Sequence, residues 1–293
     1  MKLLYESCER IKTNDYSECR DMENKIMQLW YMNGAGNDFM VLDARGMKLD
    51  FSKLALDLCR MSGADGFMAV DESKIADFKL HFYNADGTRG EMCGNGARCI
   101  CRFAYEKGIA GTEMKVETDA GIIYGERLSE LQYRVKLNNP GILDLYRKDD
   151  VAYVELGVPG VPHAVKEIPE LDWSQKEELR EMARNLRYDP AFPKGANVNL
   201  YSWIGENEVR ILTFERGVED YTLACGTGSA SVAVVLWEKE KLRGNKLAVH
   251  NPGGILEVVI ESENNEIISL YLEGPTEVVR ITKKYNIQSY RIV

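Results

Sequence analysis

Two cysteines stand in the same local pattern at distant points of the chain, and both could act as an acid or a base. The stretches EMCGNGARC and LACGTGSAS each place a cysteine directly before Gly-x-Gly, at Cys93 and Cys225. A helix that begins in glycines exposes unpaired backbone N–H groups and the positive end of its dipole, which together attract anions. We therefore expect the pKa of such a cysteine to be lowered from about 8.5 towards neutral.

A pair of cysteines that faces one carbon atom predicts the inversion of a stereocentre. If the two helices converge on one cleft, their N-termini can hold a carboxylate between them while the thiols flank the adjacent carbon. A thiolate on one face then removes the α-proton, and a thiol on the other face returns a proton. The helix N-termini stabilise the charge that develops on the carboxylate, as an oxyanion hole does. The two thiols titrate as a coupled pair, with one ionised and one protonated.

The elements around both motifs follow one order, which predicts a tandem duplication of an α+β unit. In each half, β-type runs lead to the cysteine motif, which then opens a buried helix. The predicted helices are FSKLALDLCRM, ARCICRFAYEKG closed by Gly108 as a C-cap, WSQKEELREMARNLR and GSASVAVVLWEKEKL. The predicted strands begin with a strand–turn–strand pattern over MQLWYMNGAGNDFMVLD, which includes FMVLD. They continue with DFKLHFYN, KVETDAGIIYGERL, QYRVKL, VAYVELGVPG, ANVNLYSWI and NEVRILTFERG, and end with a closing hairpin or meander over LAVHNPGGILEVVIE and ISLYLEGPTEVVRIT.

Composition excludes several classes of protein. The chain has 293 residues, enough for two domains, and its 28% charged and 45% hydrophobic residues are typical of a globular protein. Its formal charge of −9 argues against a nucleic-acid partner, and no apolar run is long enough to span a membrane. The start, MKLLYESCERIKTND, turns charged too soon for a signal peptide, so we expect a cytoplasmic protein.

The remaining cysteines indicate packing rather than metal binding. Cys99 and Cys101 are one residue apart, unlike a C-x2-C half-site, and the three histidines lie far from them. We interpret Cys59, Cys99 and Cys101 as core residues, with Cys99 and Cys101 inside one helix and pointing in different directions. No metal site is predicted.

From about Leu29 onwards, the chain resembles the diaminopimelate epimerase family, cofactor-independent enzymes that invert an amino-acid stereocentre with two cysteines. The resemblance rests on the ordered motifs GAGNDF, NADG, EMCGNGARC, PHAV, ANVN and ERGVEDYTLACGTG. It implies an α/β (α+β) fold of two pseudo-symmetric domains, each a barrel-like mixed sheet around a central helix, with the site between them. The domains implied are 28–137 plus 277–293 and 138–276, after an N-terminal extension over 1–27.

The resemblance also implies which residues form the site. Cys93 and Cys225 match the two acid/base cysteines, and His163 and Val161 match positions near the active site. The residues that match substrate contacts are Asn37, Asn84, Gly94, Asn95, Asn197, Glu215, Arg216, Gly226 and Thr227. Among these, the backbone amides of the two motifs cradle the reacting carboxylate, and the arginine binds the distal carboxylate of diaminopimelate. The family needs no metal and no organic cofactor.

Several of these residues also have a purely structural interpretation. Asn84 is a natural turn residue, Arg216 could form a surface ion pair, and His163 could be a packed loop histidine. Where the family commonly has an asparagine before Pro-His, this chain has Val161, and an apolar side chain cannot pair with a charged ligand group. Tyr221, His81 and Arg89 also depart from the family's pattern, and we expect them to cluster at the distal pocket. The sequence favours diaminopimelate as substrate and leaves another amino acid, such as histidine, as the alternative.

Functions of other classes fit less well. A cysteine hydrolase could pair one thiol with His163, but the second motif would then have no role. Related isomerases of the phenazine type use acids in place of cysteines, and a binding protein without activity has no need of both thiols. A pyridoxal-dependent racemase needs a Schiff-base lysine in a phosphate-binding fold. The expected partner is a small amino acid, and the sequence leaves the assembly open between a monomer and a homodimer.

Overall fold

The structure, a computed structural model, describes residues 28–90, 93–282, 285 and 287–292; the predicted extension, residues 1–27, lies outside these. In the described residues, the helices are α1 (Phe51–Ser62), α2 (Gly94–Glu106), α3 (Lys176–Arg187) and α4 (Gly226–Glu238), with short 3-10 helices at Trp173–Gln175 and Gln288–Tyr290. None of these helices is long and apolar enough to cross a membrane.

The strands in the described part of the chain all belong to one hydrogen-bonded sheet. They are β1 (Leu29–Gly34), β2 (Asn37–Asp43), β3 (Gly66–Asp71), β4 (Phe78–Asn84), β5 (Glu113–Thr118), β6 (Gly121–Arg127), β7 (Gln132–Leu137), β8 (Pro140–Lys148), β9 (Val151–Gly157), β10 (Gly160–Glu167), β11 (Asn197–Gly205), β12 (Glu208–Glu215), β13 (Asp220–Tyr221), β14 (Lys246–Asn251), β15 (Gly254–Glu263), β16 (Glu266–Pro275) and β17 (Glu277–Thr282).

Both halves of the chain have the same topology, which confirms the predicted fold class. In the first half, β1 and β2 pair antiparallel, α1 crosses over to the parallel strand β3, β4 pairs antiparallel with β3, and α2 crosses over to β5. The second half repeats this order. There β9 and β10 pair antiparallel, α3 crosses over to β11, which is parallel to β10, β12 pairs antiparallel with β11, and α4 crosses over to β14, which is parallel to β12. Parallel neighbours need such crossovers, and each cysteine motif opens the second crossover of its half.

Helices α2 and α4 are the central elements of the two halves. Strands β1, β2, β3, β6 and β7 pack around α2, whereas β9, β10, β11, β14 and β15 pack around α4. The side chains of both helices belong to one continuous apolar core. Helices α1 and α3 cover the outer faces of the sheet over two smaller clusters. The start of each central helix is thereby fixed by strands on several sides.

Two strand pairings join the halves. β16 runs antiparallel to β7, with Leu270 opposite Leu137, and β17 runs antiparallel to β1, with Thr282 opposite Leu29. Strand β16 also contacts both α2 and α4. The division into 28–137 plus 277–293 and 138–276 stays a prediction, because the pairing of β16 with β7 continues the sheet across its boundary. The pairing of β17 with β1 lies within the first of these domains.

The sequence patterns do not predict four of the strands, and they place one helix cap a residue too late. The four strands are β3, β8, β10 and β13. In β10, Pro162 breaks the strand signal because it cannot donate to the ladder. Helix α2 ends at Glu106 with Lys107 as its C-cap, so Gly108 is not the cap residue itself. Gly108 follows with a φ of 66°, and its N–H donates to the Tyr105 carbonyl.

The three cysteines interpreted as core residues are buried. The Cys99 sulfur faces Gly34, whereas the Cys101 sulfur faces Gly125, so the two thiols of α2 do point in different directions. Burial raises the pKa of Cys59 to about 11 and that of Cys99 and Cys101 to about 12. These thiols stay protonated at neutral pH.

We expect Cys101→Ala to reduce the free energy of unfolding by about 1–2 kcal/mol, because it leaves a small cavity in the core, and to leave turnover unchanged. An unfolded thiol titrates near pH 8.5. The pKa of Cys101 in the folded protein is about 12. The free energy of unfolding of the wild type therefore falls as the pH rises from about 8.5 to about 12, and that of the variant falls less. Urea unfolding at pH 7 and pH 10 measures both effects. An equally steep loss in the variant contradicts the assigned burial.

Candidate active site

Cys93 and Cys225 occupy equivalent positions, each directly before the first turn of a central helix. Both are N-cap residues with extended backbone, at φ −102° and ψ 125° for Cys93 and φ −123° and ψ 110° for Cys225. Their carbonyls accept the first helical hydrogen bonds, from Ala97 at 2.8 Å and Ser229 at 2.9 Å. An N-cap is usually Ser, Thr, Asp or Asn, whose side chain accepts from free N–H groups. Cysteine at this position places a sulfur atom among those donors.

The first residues of the two helices abut. A β-carbon added to Gly226 would lie 2.5 Å from the Leu272 Cδ2 atom and 3.9 Å from the Gly94 Cα atom. One added to Gly94 would lie 2.9 Å from the same Leu272 atom. Leu272 lies on β16 and is fully buried. Helices α2 and α4 therefore meet N-terminus to N-terminus, and a side chain at either glycine would require the Leu272 side chain to shift.

The environment of both thiols favours the protonated form. Burial raises the pKa of Cys93, and it raises that of Cys225 to about 12. Backbone donors act in the opposite direction: the Gly228 N–H lies 3.3 Å from the Cys225 sulfur, and the N–H groups of Gly96 and Asn95 lower the pKa of Cys93. The expected lowering of the thiol pKa is therefore wrong, because the loss of hydration outweighs the helix N-terminus.

Glu215 supplies a negative charge that acts on both thiols. It ends β12, and its carboxylate raises the pKa of both Cys93 and Cys225. Burial in turn raises the pKa of Glu215 itself. A cationic group beside this carboxylate would offset its charge and would lower the pKa of both thiols.

A buried arginine supports the first motif, and the sequence interpretation did not single it out. Arg98 is fully buried, and its guanidinium donates to the Asn95 Oδ1 atom at 3.0 Å and to the Gly94 carbonyl at 3.3 Å. Asn95 in turn donates to the Asn37 Oδ1 atom at 2.7 Å, which joins two predicted site residues. The available signal was the presence of arginines on a helix predicted to be buried, since a buried charge needs dedicated partners.

Asn197 and Arg216 lie together in the second half. Asn197 is buried on β11, and its Oδ1 atom accepts from the Arg216 backbone N–H at 2.8 Å. The exposed Arg216 guanidinium donates to the Lys194 carbonyl at 3.0 Å. Asn84 is exposed at the end of β4, where its side chain donates to the Thr88 hydroxyl at 3.0 Å, so part of its role is to hold that turn.

Sequence similarity to known proteins extends over both halves of the chain. The family model described as diaminopimelate epimerase matches residues 29–137 and 158–279. The chain belongs to the diaminopimelate epimerase family. A diaminopimelate epimerase of Aquifex aeolicus is 34% identical over 85% of this chain and 94% of that protein. One of Caldanaerobacter subterraneus is 35% identical over 86% of this chain and 97% of that protein.

Solved structures share the fold of this family at low sequence identity. A Bacillus anthracis phenazine biosynthesis protein of the PhzF family has a TM-score of 0.65 at 15% identity, covering 89% of this chain and all of that chain. A probable proline racemase from Agrobacterium radiobacter has a TM-score of 0.63 at 15% identity, covering 88% and 93%. These likenesses show the two-domain epimerase fold alone.

His163 lies on a strand, so its interpretation as a loop residue is wrong. It is fully buried on β10, and its Nδ1 atom faces the Asn199 amide nitrogen at 3.1 Å. Its Nε2 atom has no hydrogen-bond partner among the described residues. Burial lowers the pKa of His163 to about 3, so the ring is neutral. Strand alternation puts Val161, which is half-buried, on the same face as His163.

The other departures from the family's pattern do not cluster at the distal pocket. His81 stacks on Phe51 with ring centroids 5.0 Å apart, on the outer face of β4 that α1 covers, and Arg89 donates to its Nδ1 atom at 3.1 Å. Tyr221 packs edge-on against Phe214 at 5.5 Å, within the outer cluster under α3. The expectation fails because side chains alternate between the faces of a strand, and those of His81 and Tyr221 lie on the outer face. Arg89 follows His81 through its hydrogen bond.

The described residues contain no group of three His, Cys, Asp or Glu side chains that could hold a metal ion. The groups that lie near the two helix N-termini are backbone N–H donors, two thiols and one carboxylate. This set suits an organic anion better than a cation, because the N–H donors are directed at negative charge.

Proposed function

We propose that this protein interconverts the LL and meso forms of diaminopimelate by inverting one α-carbon with two cysteines, Cys93 and Cys225. The observation that carries the proposal is the meeting of α2 and α4 at their N-termini, with a cysteine as the N-cap of each. Support for the substrate comes from the relatives, which are named diaminopimelate epimerase and match most of the chain.

In this mechanism, the backbone amides at the start of both helices hold the carboxylate on the reacting carbon. The first four N–H groups of a helix have no partner within it, so Gly94, Asn95, Gly226 and Thr227 offer donors from two directions. Negative charge moves onto this carboxylate as the α-proton leaves, and the preorganised donors stabilise it. One sulfur takes the proton, and the other sulfur gives its own proton to the opposite face.

Because the pKa values of both thiols are raised, the thiolate that serves as the base forms only when the substrate binds. The α-ammonium of an amino acid beside Glu215 offsets the charge that raises both pKa values. One thiol can then ionise and lose its proton to water, while Glu215 stays ionised beside the ammonium. The helix N-termini hold the resulting thiolate until it meets the α-proton.

The distal end of the substrate meets a separate set of groups. Arg216 binds the distal carboxylate. The Asn197 side chain fixes the backbone of Arg216 by accepting a hydrogen bond of 2.8 Å from its N–H. Asn84 and Asn37 contribute further amide groups from the first half. Because the two cysteines carry out the proton transfers and backbone amides stabilise the developing charge, the reaction as proposed needs no metal and no organic cofactor.

We further propose that the enzyme acts in the cytoplasm, because its mechanism needs two free thiols side by side and a reducing compartment preserves them. A homodimer stays a hypothesis, which light scattering of the purified protein tests. Racemisation of another amino acid, such as histidine, is not favoured, since the similar proteins carry the name diaminopimelate epimerase.

A deuterium wash-in screen tests the proposed reaction. Purified protein is incubated in heavy water with diaminopimelate and, separately, with histidine, and α-hydrogen exchange is followed by NMR. We expect exchange and inversion with diaminopimelate and none with histidine. Exchange with histidine alone would replace the proposed substrate and would leave the two-thiol chemistry in place.

Val161 gives a direct test of the distal contacts. We expect Val161→Asn to raise kcat/KM for diaminopimelate about tenfold, because the amide adds a hydrogen bond to a charged group of the substrate. Steady-state kinetics measures the change, and Val279→Asn, at an exposed position of β17, is the matched control. A fall in kcat/KM would mean that Val161 packs against an apolar part of the substrate.

A further inference from the structure

A buried carboxylate is connected to Arg216 through Lys194, and neither the sequence motifs nor the family match assigns it a role. Glu155 on β9 is 3% exposed. Its Oε1 atom accepts from the Tyr153 hydroxyl at 2.6 Å, and its Oε2 atom accepts from Lys194 Nζ at 2.8 Å. Burial alone would raise the pKa of Glu155, but these two donors outweigh it and hold the pKa below its ordinary value. The carboxylate is therefore charged at neutral pH.

Lys194 connects this carboxylate to Arg216. Its ammonium bonds to Glu155 while its carbonyl accepts from the Arg216 guanidinium at 3.0 Å. The segment that carries Lys194 is held from a second side, because Phe192 stacks on Tyr153 with ring centroids 5.6 Å apart. The position of the Lys194 carbonyl thus depends on the Glu155–Tyr153 pair.

The chain that follows Arg216 is fixed by a second carboxylate. Glu219 accepts from Arg187 at 2.7 Å, from the Tyr188 hydroxyl at 2.7 Å and from the Gly217 N–H at 3.0 Å. The backbone of Arg216 is therefore anchored independently, through Asn197 before it and Glu219 after it. The guanidinium of Arg216 is not held by these contacts; it donates instead to the Lys194 carbonyl.

We propose that Glu155 is a positioning residue for Arg216, which acts through Lys194 to hold the guanidinium where the distal carboxylate of the substrate binds. The proposal rests on the proposed function of Arg216 and deepens it. An exposed arginine loses much rotamer freedom when it binds a ligand. A hydrogen bond that already fixes its guanidinium removes part of this cost. Loss of Glu155 should therefore lower the affinity for substrates with a distal carboxylate.

The test compares Glu155→Gln with Lys194→Met, using diaminopimelate as substrate and 2-aminoheptanoate as a competitive inhibitor without distal charges. We expect both variants to raise KM for diaminopimelate about tenfold, as for one lost hydrogen bond to a charged group, with kcat within about twofold of wild type. The inhibition constant of 2-aminoheptanoate should stay unchanged. Lys194→Arg, which keeps the ion pair, should keep the wild-type KM.

Controls separate positioning from folding and from the choice of substrate. Glu206→Gln removes an exposed ion pair with Arg243 and should change nothing. Because the Lys194 side chain is 54% exposed, Lys194→Met should fold even if Glu155→Gln does not. An unchanged KM in Lys194→Met, or an equal loss of affinity for 2-aminoheptanoate, overturns the positioning role. A wild type inert towards diaminopimelate refutes the proposed function instead.

Discussion

Turnover should fall by more than about a thousandfold when either Cys93 or Cys225 is replaced by alanine, because each variant lacks the acid or the base for one face of the carbon. Each cysteine is an N-cap whose carbonyl accepts the first helical hydrogen bond, and the Cys225 sulfur also accepts from the Gly228 N–H. Alanine keeps that carbonyl, so both variants should fold. The measurements are the rate of inversion of diaminopimelate and the thermal midpoint of each variant.

Cys99→Ala is the control for the loss of a thiol from α2. Its sulfur is fully buried against the core and faces Gly34 rather than the helix N-terminus. We expect it to lower the thermal midpoint while it leaves the rate of inversion near that of wild type. If either Cys93→Ala or Cys225→Ala retains turnover, the two-thiol mechanism is wrong.

Arg98→Met should reduce kcat by about a hundredfold while it changes the free energy of unfolding little. The guanidinium fixes Asn95 and the Gly94 carbonyl at the start of α2, and its charge lowers the pKa of Cys93. Loss of a preorganised charge of this kind costs about 10²–10³ in rate. A buried charge is also expensive to desolvate, so a methionine of similar shape offsets much of the lost bonding. Kinetics and urea unfolding on the same variant measure both effects.

Arg102→Met is the matched control, because Arg102 is a second buried arginine of the same helix. It bonds to Glu106 and to the Thr276 carbonyl, away from Cys93. We expect Arg102→Met to lower the free energy of unfolding and to leave kcat unchanged. Equal losses of kcat in both variants would mean that any buried arginine of α2 serves the helix as a whole.

The sequence was most informative where a local pattern has one structural meaning. Cys-Gly-x-Gly before an apolar run predicted the start of a buried helix, and both helices begin at the glycine after the cysteine. The repeated order of strands and helices predicted two similar halves. These signals are local, because the donors, the glycines and the apolar face all lie within one segment.

The parts that could not be predicted depend on residues distant in the sequence. The thiol pKa values follow from burial and from Glu215, which only the assembled fold brings to both cysteines. Tyr221 points outwards because it lies opposite Phe214 across two strands, a register that only the assembled sheet sets. The exception is His81, since alternation with the inward Leu80 and Phe82 already indicated its outward direction.

The pairing of β17 with β1 has a consequence for how the protein is made. Leu29 pairs with Thr282, so the first strand of the sheet meets a partner from near the other end of the chain. While the ribosome is still translating, β1 has only β2 beside it, and its second edge stays open until residues 277–282 emerge. Native contacts of such long sequence separation slow folding. The first half therefore completes its fold after synthesis of the second, and its unpaired edge is the segment that chaperones have the longest time to bind.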